Sequence, residues 1–268
     1  MEKREIEGKA LKDLVQYGLK AVLDLLIPRQ CLVCGRSLEA AEKHLCRECL
    51  EDLPRTYYWL RKFNPMADRF NALIQEGLEV LQSARPAHGT TSQHYAYATA
   101  LFFYRAESGY SQITRQLKYH GDIPAGQFFG QVLGKKIASA EHFADVDTVI
   151  PVPLHWTRKW SRGYNQAEII AREVASVLGA ELRTDILQRS RRTRTQTKLT
   201  IEGKAANVQG AFQVLPGASD HAGPKHLLLI DDVFTTGSTL HACYTALRTA
   251  FPPSVRISVA TLAFVGEN

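Results

Sequence analysis

Apolar and polar residues alternate in blocks along this chain, and the period of each block predicts an element. Near the start, Leu11, Leu14, Val15, Leu19, Val22, Leu23 and Leu26 recur at helical spacing, interrupted by Lys12, Asp13, Lys20 and Asp24. That pattern predicts an amphipathic helix over residues 1–27. Its apolar stripe suits packing against the protein's own core, with weak membrane-surface contact as the alternative. Residues 56–93 lack a sustained period, and "SARPAHGTTSQH" is dominated by proline, glycine and polar residues, so an irregular linker is expected there. "YAYATALFFY" (95–104) has strand character. "YSQITRQLKYHGD" reads as a helix with Ile113, Leu117 and Tyr119 near one side, ending at a Gly121 cap. A further helix is expected over "AGQFFGQVLGKKIASA".

From there strands and helices alternate. "DTVIPVPLH" is a short buried strand closing on prolines, and "NQAEIIAREVASVLG" is a helix ending at Gly179. "DILQRS" and "GAFQVL" read as strands, "GSTLHACYTALRTA" as a helix, and "RISVATLAFV" as the last strand. "HLLLIDD" is the most apolar strand and is expected to stop at its two aspartates. This order predicts an α/β fold over 94–268, a mostly parallel sheet flanked by helices. Such sheets bind ligands at the carboxyl ends of their strands.

Bulk composition changes this picture little. Of 268 residues, 45% are hydrophobic and 22% charged, as in an ordinary globular protein. No apolar run approaches the ~20 residues of a membrane span. The interrupted apolar start is unlike a signal peptide, so a cytoplasmic protein with reduced thiols is expected. The formal net charge of +6 permits phosphate-bearing partners without demanding them.

Four of the five cysteines fall in "CLVCGRSLEAAEKHLCREC", at C-x2-C-x11-C-x2-C spacing: Cys31, Cys34, Cys46 and Cys49. Two such pairs converge on one tetrahedral zinc, and four thiolates leave no open position for catalysis. A structural zinc module is therefore expected over 28–55. Gly35 supplies the tight turn after the first pair. His44 reads as solvent-exposed, and Cys243 as a small buried residue of a later helix.

"DDVFTTGSTL" carries the other concentration of chemistry. Thr235, Thr236, Gly237, Ser238 and Thr239 offer amides and hydroxyls at a helix start, a ready anion site. Asp231 and Asp232 stand beside them, spaced for the vicinal hydroxyls of the same sugar phosphate. An ordinary helix cap needs one such hydroxyl residue, not several preceded by two acids.

"LLLIDDVFTTGSTL" resembles the phosphoribosyl-pyrophosphate (PRPP) loop of type I phosphoribosyltransferases. The resemblance implies that Asp231 and Asp232, the candidate catalytic pair, bind the ribose hydroxyls. Val233 and residues Thr235 to Thr239 would wrap the 5′-phosphate, with Mg²⁺ held largely by PRPP oxygens. "LKYHGD", "VIPVPLHWTRKWSRGYNQAE", "RTRTQTKL", "NVQGAF" and the front cysteines are together similar to the competence protein F family. That wider resemblance spans roughly residues 24–264, is poor over 60–95, and departs at Lys204, where an arginine is expected.

Two basic segments complete the expected site. "PLHWTRKWSRGYNQ" brings Arg158, Lys159 and Arg162 to the edge that holds the acids, with Trp156, Trp160 and Tyr164 interleaved. "QRSRRTRTQTKLTIEGK" adds Arg189, Arg191, Arg192, Arg194, Lys198 and Lys204. With Lys118, these charges suit either a pyrophosphate or a nucleic-acid backbone, and the interleaved rings suit stacked bases. The resemblance implies PRPP binding in DNA uptake or utilisation, with single-stranded DNA and competence or DNA-processing proteins as partners. An active phosphoribosyltransferase is the alternative. A glutamine-dependent amidophosphoribosyltransferase is disfavoured, because no glutaminase segment is present in the sequence.

Overall fold

Nine consecutive residues, His226–Phe234, form the strand at the centre of the main sheet. Leu227, Leu228, Leu229 and Ile230 are fully buried, as a strand covered on both faces requires. The computed structural model describes residues 29–84, 95–154, 163–189, 211–217 and 223–266. The helix predicted over 1–27 lies outside them. The chain divides into two compact units, Met1–Leu53 and Pro54–Asn268. Among its described residues the first contains one short helix, α1 (Arg47–Glu51).

In the second unit the strands are β1 (Ala98–Phe103), β2 (Thr148–Pro151), β3 (Glu181–Leu182), β4 (Leu187–Arg189), β5 (Phe212–Val214), β6 (His226–Phe234) and β7 (Arg256–Phe264). Five of them form a sheet of order β1-β7-β6-β2-β3 in which every pair is parallel. β4 and β5 form a separate antiparallel pair. The α/β class expected from the pattern is what the chain adopts.

The helices are α2 (Pro65–Ala84), α3 (Ser111–Arg115), α4 (Ile123–Ala138), α5 (Gln166–Leu178) and α6 (Ser238–Ala250). α4 and α5 pack closely together. A Cβ on Gly130 would meet the Ile170 carbonyl oxygen at 3.1 Å, and one on Gly134 would meet Val174 Cα at 3.2 Å. Small residues one turn apart therefore set how near the two backbones approach. A second apolar cluster joins Met66, Phe70 and Ile74 of α2 to Cys243, Tyr244 and Leu247 of α6, with Leu229 and Val259 of the sheet.

α2 corrects the expectation of an irregular linker over 56–93. Met66, Phe70 and Ile74 recur every four residues and bury one face. Asn64 starts the helix, its Oδ1 accepting from Ala67 N at 3.0 Å, with Pro65 at the first helical position.

At the amino end of β6, His226 is buried with Nδ1 2.9 Å from Asp145 Oδ1 and Nε2 2.8 Å from Ser258 Oγ. Asp145 also pairs with Arg256, which offsets its charge. Burial pulls His226 down from 6.5 to about 4, against the opposing pull of Asp147. Below pH 6.5 the unfolded ring takes up a proton that the folded ring refuses. Stability is therefore lost as pH falls from there toward 4. Urea unfolding is expected to lose about 2 kcal/mol between about pH 7.5 and about pH 5. His226→Gln should lack that component; equal losses in both proteins would contradict the assignment.

Candidate functional site

β2 accompanies β6 only as far as the Pro151–Ile230 pair, with Val152 N donating to Ile230 O at 2.8 Å. β7 continues alongside to the Phe234–Phe264 pair. Beyond Ile230, among the described residues, the central strand pairs with β7 alone, which leaves a crevice at the carboxyl edge of the sheet. Asp231 and Asp232 lie there. The strand was expected to end at these acids; it runs through them to Phe234 because β7 still supplies backbone partners. Asp232 is buried and Asp231 partly covered. Asp232 N donates to Asp231 Oδ1 at 2.9 Å.

Lys118 answers this negative charge, its Nζ 3.2 Å from Asp232 Oδ2. Burial disfavours the ammonium, but Asp232 and then Asp231 outweigh that effect and hold Lys118 above its ordinary value. The lysine rides on a π-turn, Gln116–His120, that continues α3 and ends at left-handed Gly121. Wide turns of this kind leave backbone carbonyls without helical partners. The Leu117 carbonyl accepts from the Tyr164 hydroxyl. Tyr119, read from the sequence as near the side of Ile113 and Leu117, is instead 71% exposed, because residues two apart point opposite ways on a helical turn.

Burial first, and Asp232 second, push the Asp231 carboxyl up to about 7, against the Asp232 amide, Lys118 and Arg189. Arg189, read from the sequence as part of a basic loop, sits in β4 with its guanidinium 5.1 Å from the centre of the Phe212 ring. It is a cation of the site that its sequence context, a run of arginines, did not distinguish.

After the acids, the chain turns through Thr235 and Thr236 into α6. Gly237 occupies the cap position at φ 81°, a left-handed conformation that favours glycine. A Cβ there would stand 2.6 Å from Phe234 Cζ and 2.8 Å from Leu73 Cδ1. Gly237 has no side chain to cap α6, and among the described residues the Ser238 amide meets only the Thr236 hydroxyl, at a long 3.4 Å, so the first turn can still receive an external acceptor. Thr236 Oγ1 and Ser238 Oγ lie 2.9 Å apart. Asp231, Val233, Thr235, Gly237 and Thr239 line a cleft of about 190 Å³. Carboxylates that accept and amides and hydroxyls that donate therefore border one small space.

The structure brings Asp231, Asp232, Val233, Thr235, Thr236, Gly237, Ser238, Thr239 and Lys118 into this neighbourhood. Arg158, Arg162, Arg194, Lys198 and Lys204, with Trp156 and Trp160, lie outside the described residues. Tyr164, expected to stack on bases, instead braces the turn that carries Lys118. The next residue, Asn165, ties α5 to the end of β2: its Oδ1 accepts from Ala167 N at 3.1 Å and its Nδ2 donates to Val152 O at 3.1 Å.

In the first unit the sulfurs of Cys31, Cys34, Cys46 and Cys49 all lie within 4.8 Å of one another. Cys34 Sγ and Cys46 Sγ are 3.7 Å apart, close to the ~3.8 Å edge of a tetrahedron with Zn–S bonds of ~2.3 Å. Gly35 takes φ 73° and donates to the Cys31 carbonyl at 2.9 Å, closing the first knuckle. Burial pushes the Cys49 thiol up, and its cysteine neighbours push it further. A divalent cation relieves that crowding, so the cluster suits a structural Zn²⁺. His44 is half-exposed and outside the cluster; Cys243 is buried in the core.

Residues 22–58 match the family described as double zinc ribbon domain. Competence protein F of Haemophilus influenzae is 34% identical over 102 residues, which cover 38% of this chain and 44% of that protein. Over that stretch the chain is similar to competence protein F. DNA utilization protein YhgH of Escherichia coli (strain K12) is 33% identical over 134 residues, covering 48% of this chain and 57% of that protein. The same-named protein of Salmonella typhimurium is 29% identical over the same shares. The chain spans about half the length of the curated relatives it matches. The resemblance to the competence protein F family and the zinc module expected from the sequence both stand.

Two outcomes follow for these sites. Cys46→Ser is expected to lower zinc content to well under one ion per chain, and limited proteolysis should then cut within 29–53. Retained stoichiometric zinc would contradict the four-thiolate assignment. Separately, because the folded Asp231 carboxyl holds its proton up to about 7, ionising it costs stability as pH rises from its ordinary 3.8 through 7. Asp231→Asn should therefore melt several degrees higher than wild type at about pH 8, with the gain shrinking toward about pH 4.

Proposed function

We propose that this protein binds PRPP, or a related ribose 5-phosphate ligand, together with Mg²⁺, and serves DNA uptake or utilisation in the cytoplasm. The observation that supports the ligand reading is a cleft bordered by Asp231, with Asp232 beside it, and by the weakly capped start of α6. Asp231 and Asp232 accept hydrogen bonds from the ribose 2′- and 3′-hydroxyls. The first-turn amides of α6, with Thr235, Thr236, Ser238 and Thr239, receive the 5′-phosphate, whose charge the helix end favours. Gly237 lets the backbone close around it without a Cβ. Mg²⁺ accompanies the ligand's pyrophosphate oxygens, and Lys118 is the described cation nearest the acids.

The DNA role rests on the names of the relatives, competence protein F and DNA utilization protein YhgH. Single-stranded DNA and the proteins that deliver or process it are the proposed partners. A second reading, transfer of the phosphoribosyl group to an acceptor, draws on Asp231, whose proton affinity near neutrality suits a group that takes up a proton during reaction.

Isothermal titration with PRPP and Mg²⁺ tests the ligand. Wild type is expected to bind, and Asp231→Ala/Asp232→Ala should weaken affinity by about 100-fold, the loss of two charge-assisted contacts at ~1.5 kcal/mol each. Unchanged affinity in the double variant would remove the acids from the site. Pyrophosphate release with candidate bases or amines, abolished in the same variant, would select turnover over binding alone.

A further inference from the structure

A second surface, on the segment that leads into α2 beside β1, has the chemistry of a nucleic-acid site. In the segment Tyr57–Phe63, the side chains of Tyr57, Leu60 and Phe63 are 51%, 64% and 69% exposed. Arg61 and Lys62 lie exposed between them. Five exposed residues among these seven are not a frayed loop, because the segment is pinned at both ends. Thr56 N donates to Leu101 O at 3.2 Å and its Oγ1 donates to Ala100 O. At the far end Asn64 Nδ2 donates to Ala98 O at 3.0 Å. Between these pins Tyr58 and Trp59 are buried, Tyr58 packing edge-on against Phe103 and Phe264. Tyr57 holds φ 58°, a left-handed conformation that is costly for an aromatic residue. The segment is thus a stiff ridge with apolar anchors inside and rings and cations outside.

We propose that the ridge binds single-stranded nucleic acid, its exposed rings stacking on bases while Arg61 and Lys62 meet the phosphates. The occupant follows from charge complementarity joined to flat apolar surface, a combination that suits unpaired bases on a charged backbone. The ridge extends toward the amino edge of the sheet. Asn64 bonds to the first residue of β1, and Phe63 packs edge-on against Tyr95, which precedes that strand, at 5.1 Å. Asp231 and Gly237 lie at the carboxyl edge. The other end of the ridge reaches the carboxyl end of β1, where Tyr58 packs on Phe103 and Phe264, so the ridge runs the length of that edge strand. This inference rests on the DNA role proposed above but assigns it residues distinct from the basic segments read in the sequence.

Fluorescence anisotropy of a labelled oligo-dT tests it, with wild type, Tyr57→Ser/Phe63→Ser and Arg61→Gln/Lys62→Gln at several salt concentrations. The ring variant is expected to bind about tenfold more weakly, and the cation variant to reduce the salt slope by about 1.4. Phe63→Trp should retain affinity, which separates lost stacking from lost folding. Wild-type affinity in both variants would overturn the ridge while leaving the DNA role intact; no wild-type binding at low salt would overturn both. Variants that lose only vesicle or protein binding would make the ridge a docking face of another kind, and the proposal would fall.

Discussion

Everything at the carboxyl edge depends on the unequal lengths of the strands beside β6. β2 ends its pairing at Ile230, whereas β7 continues to Phe234. One neighbour keeps the central strand extended through two acids; the absence of the other leaves those acids an opening. Had both neighbours continued, carboxylates at 231 and 232 would have been closed in by a second strand at high cost. Had both stopped, the loop before α6 would have lost the rigid start that aims it. The same strand supplies the most apolar stretch of the core and the most polar part of the crevice, so folding and site assembly are one event.

Charge in the crevice is arranged as a partly balanced set. Lys118 meets Asp232 directly, while Asp231 is left with burial and a like-charged neighbour against it. Such a set is an expensive way to fill space and a good way to receive a ligand rich in hydroxyls and phosphate. The contrast with the zinc module is instructive. There four thiols crowd together with no cation among their own side chains, and the imbalance is answered by a metal.

The sequence revealed those parts whose physics is local. Apolar runs bounded by glycine and proline marked the strands and most helices of the sheet. The two C-x2-C pairs marked the zinc cluster, because ligand spacing is itself the constraint. "DDVFTTGSTL" marked the crevice, because few structural purposes need that many hydrogen-bonding side chains. What escaped detection needed a tertiary partner or an uncommon turn. Met66, Phe70 and Ile74 carry a helical period, but prolines and polar residues around them suggested a linker. Asp231 and Asp232 looked like the end of a strand because only the position of β7 says otherwise. Tyr119 faces solvent because it stands two residues from buried Leu117, on the opposite side of the turn.

The contact between Lys118 and Asp232 joins residues far apart in the chain, and both belong to backbone fixed by the parallel sheet and its flanking helices. It does not exist in any isolated fragment of the main unit. A ligand drawn to this place therefore binds the fully assembled sheet and little else, so its binding energy becomes resistance to global rather than local opening. Occupancy would then protect amides in strands that never touch the ligand, and the same event would lengthen the lifetime of the whole unit against proteolysis.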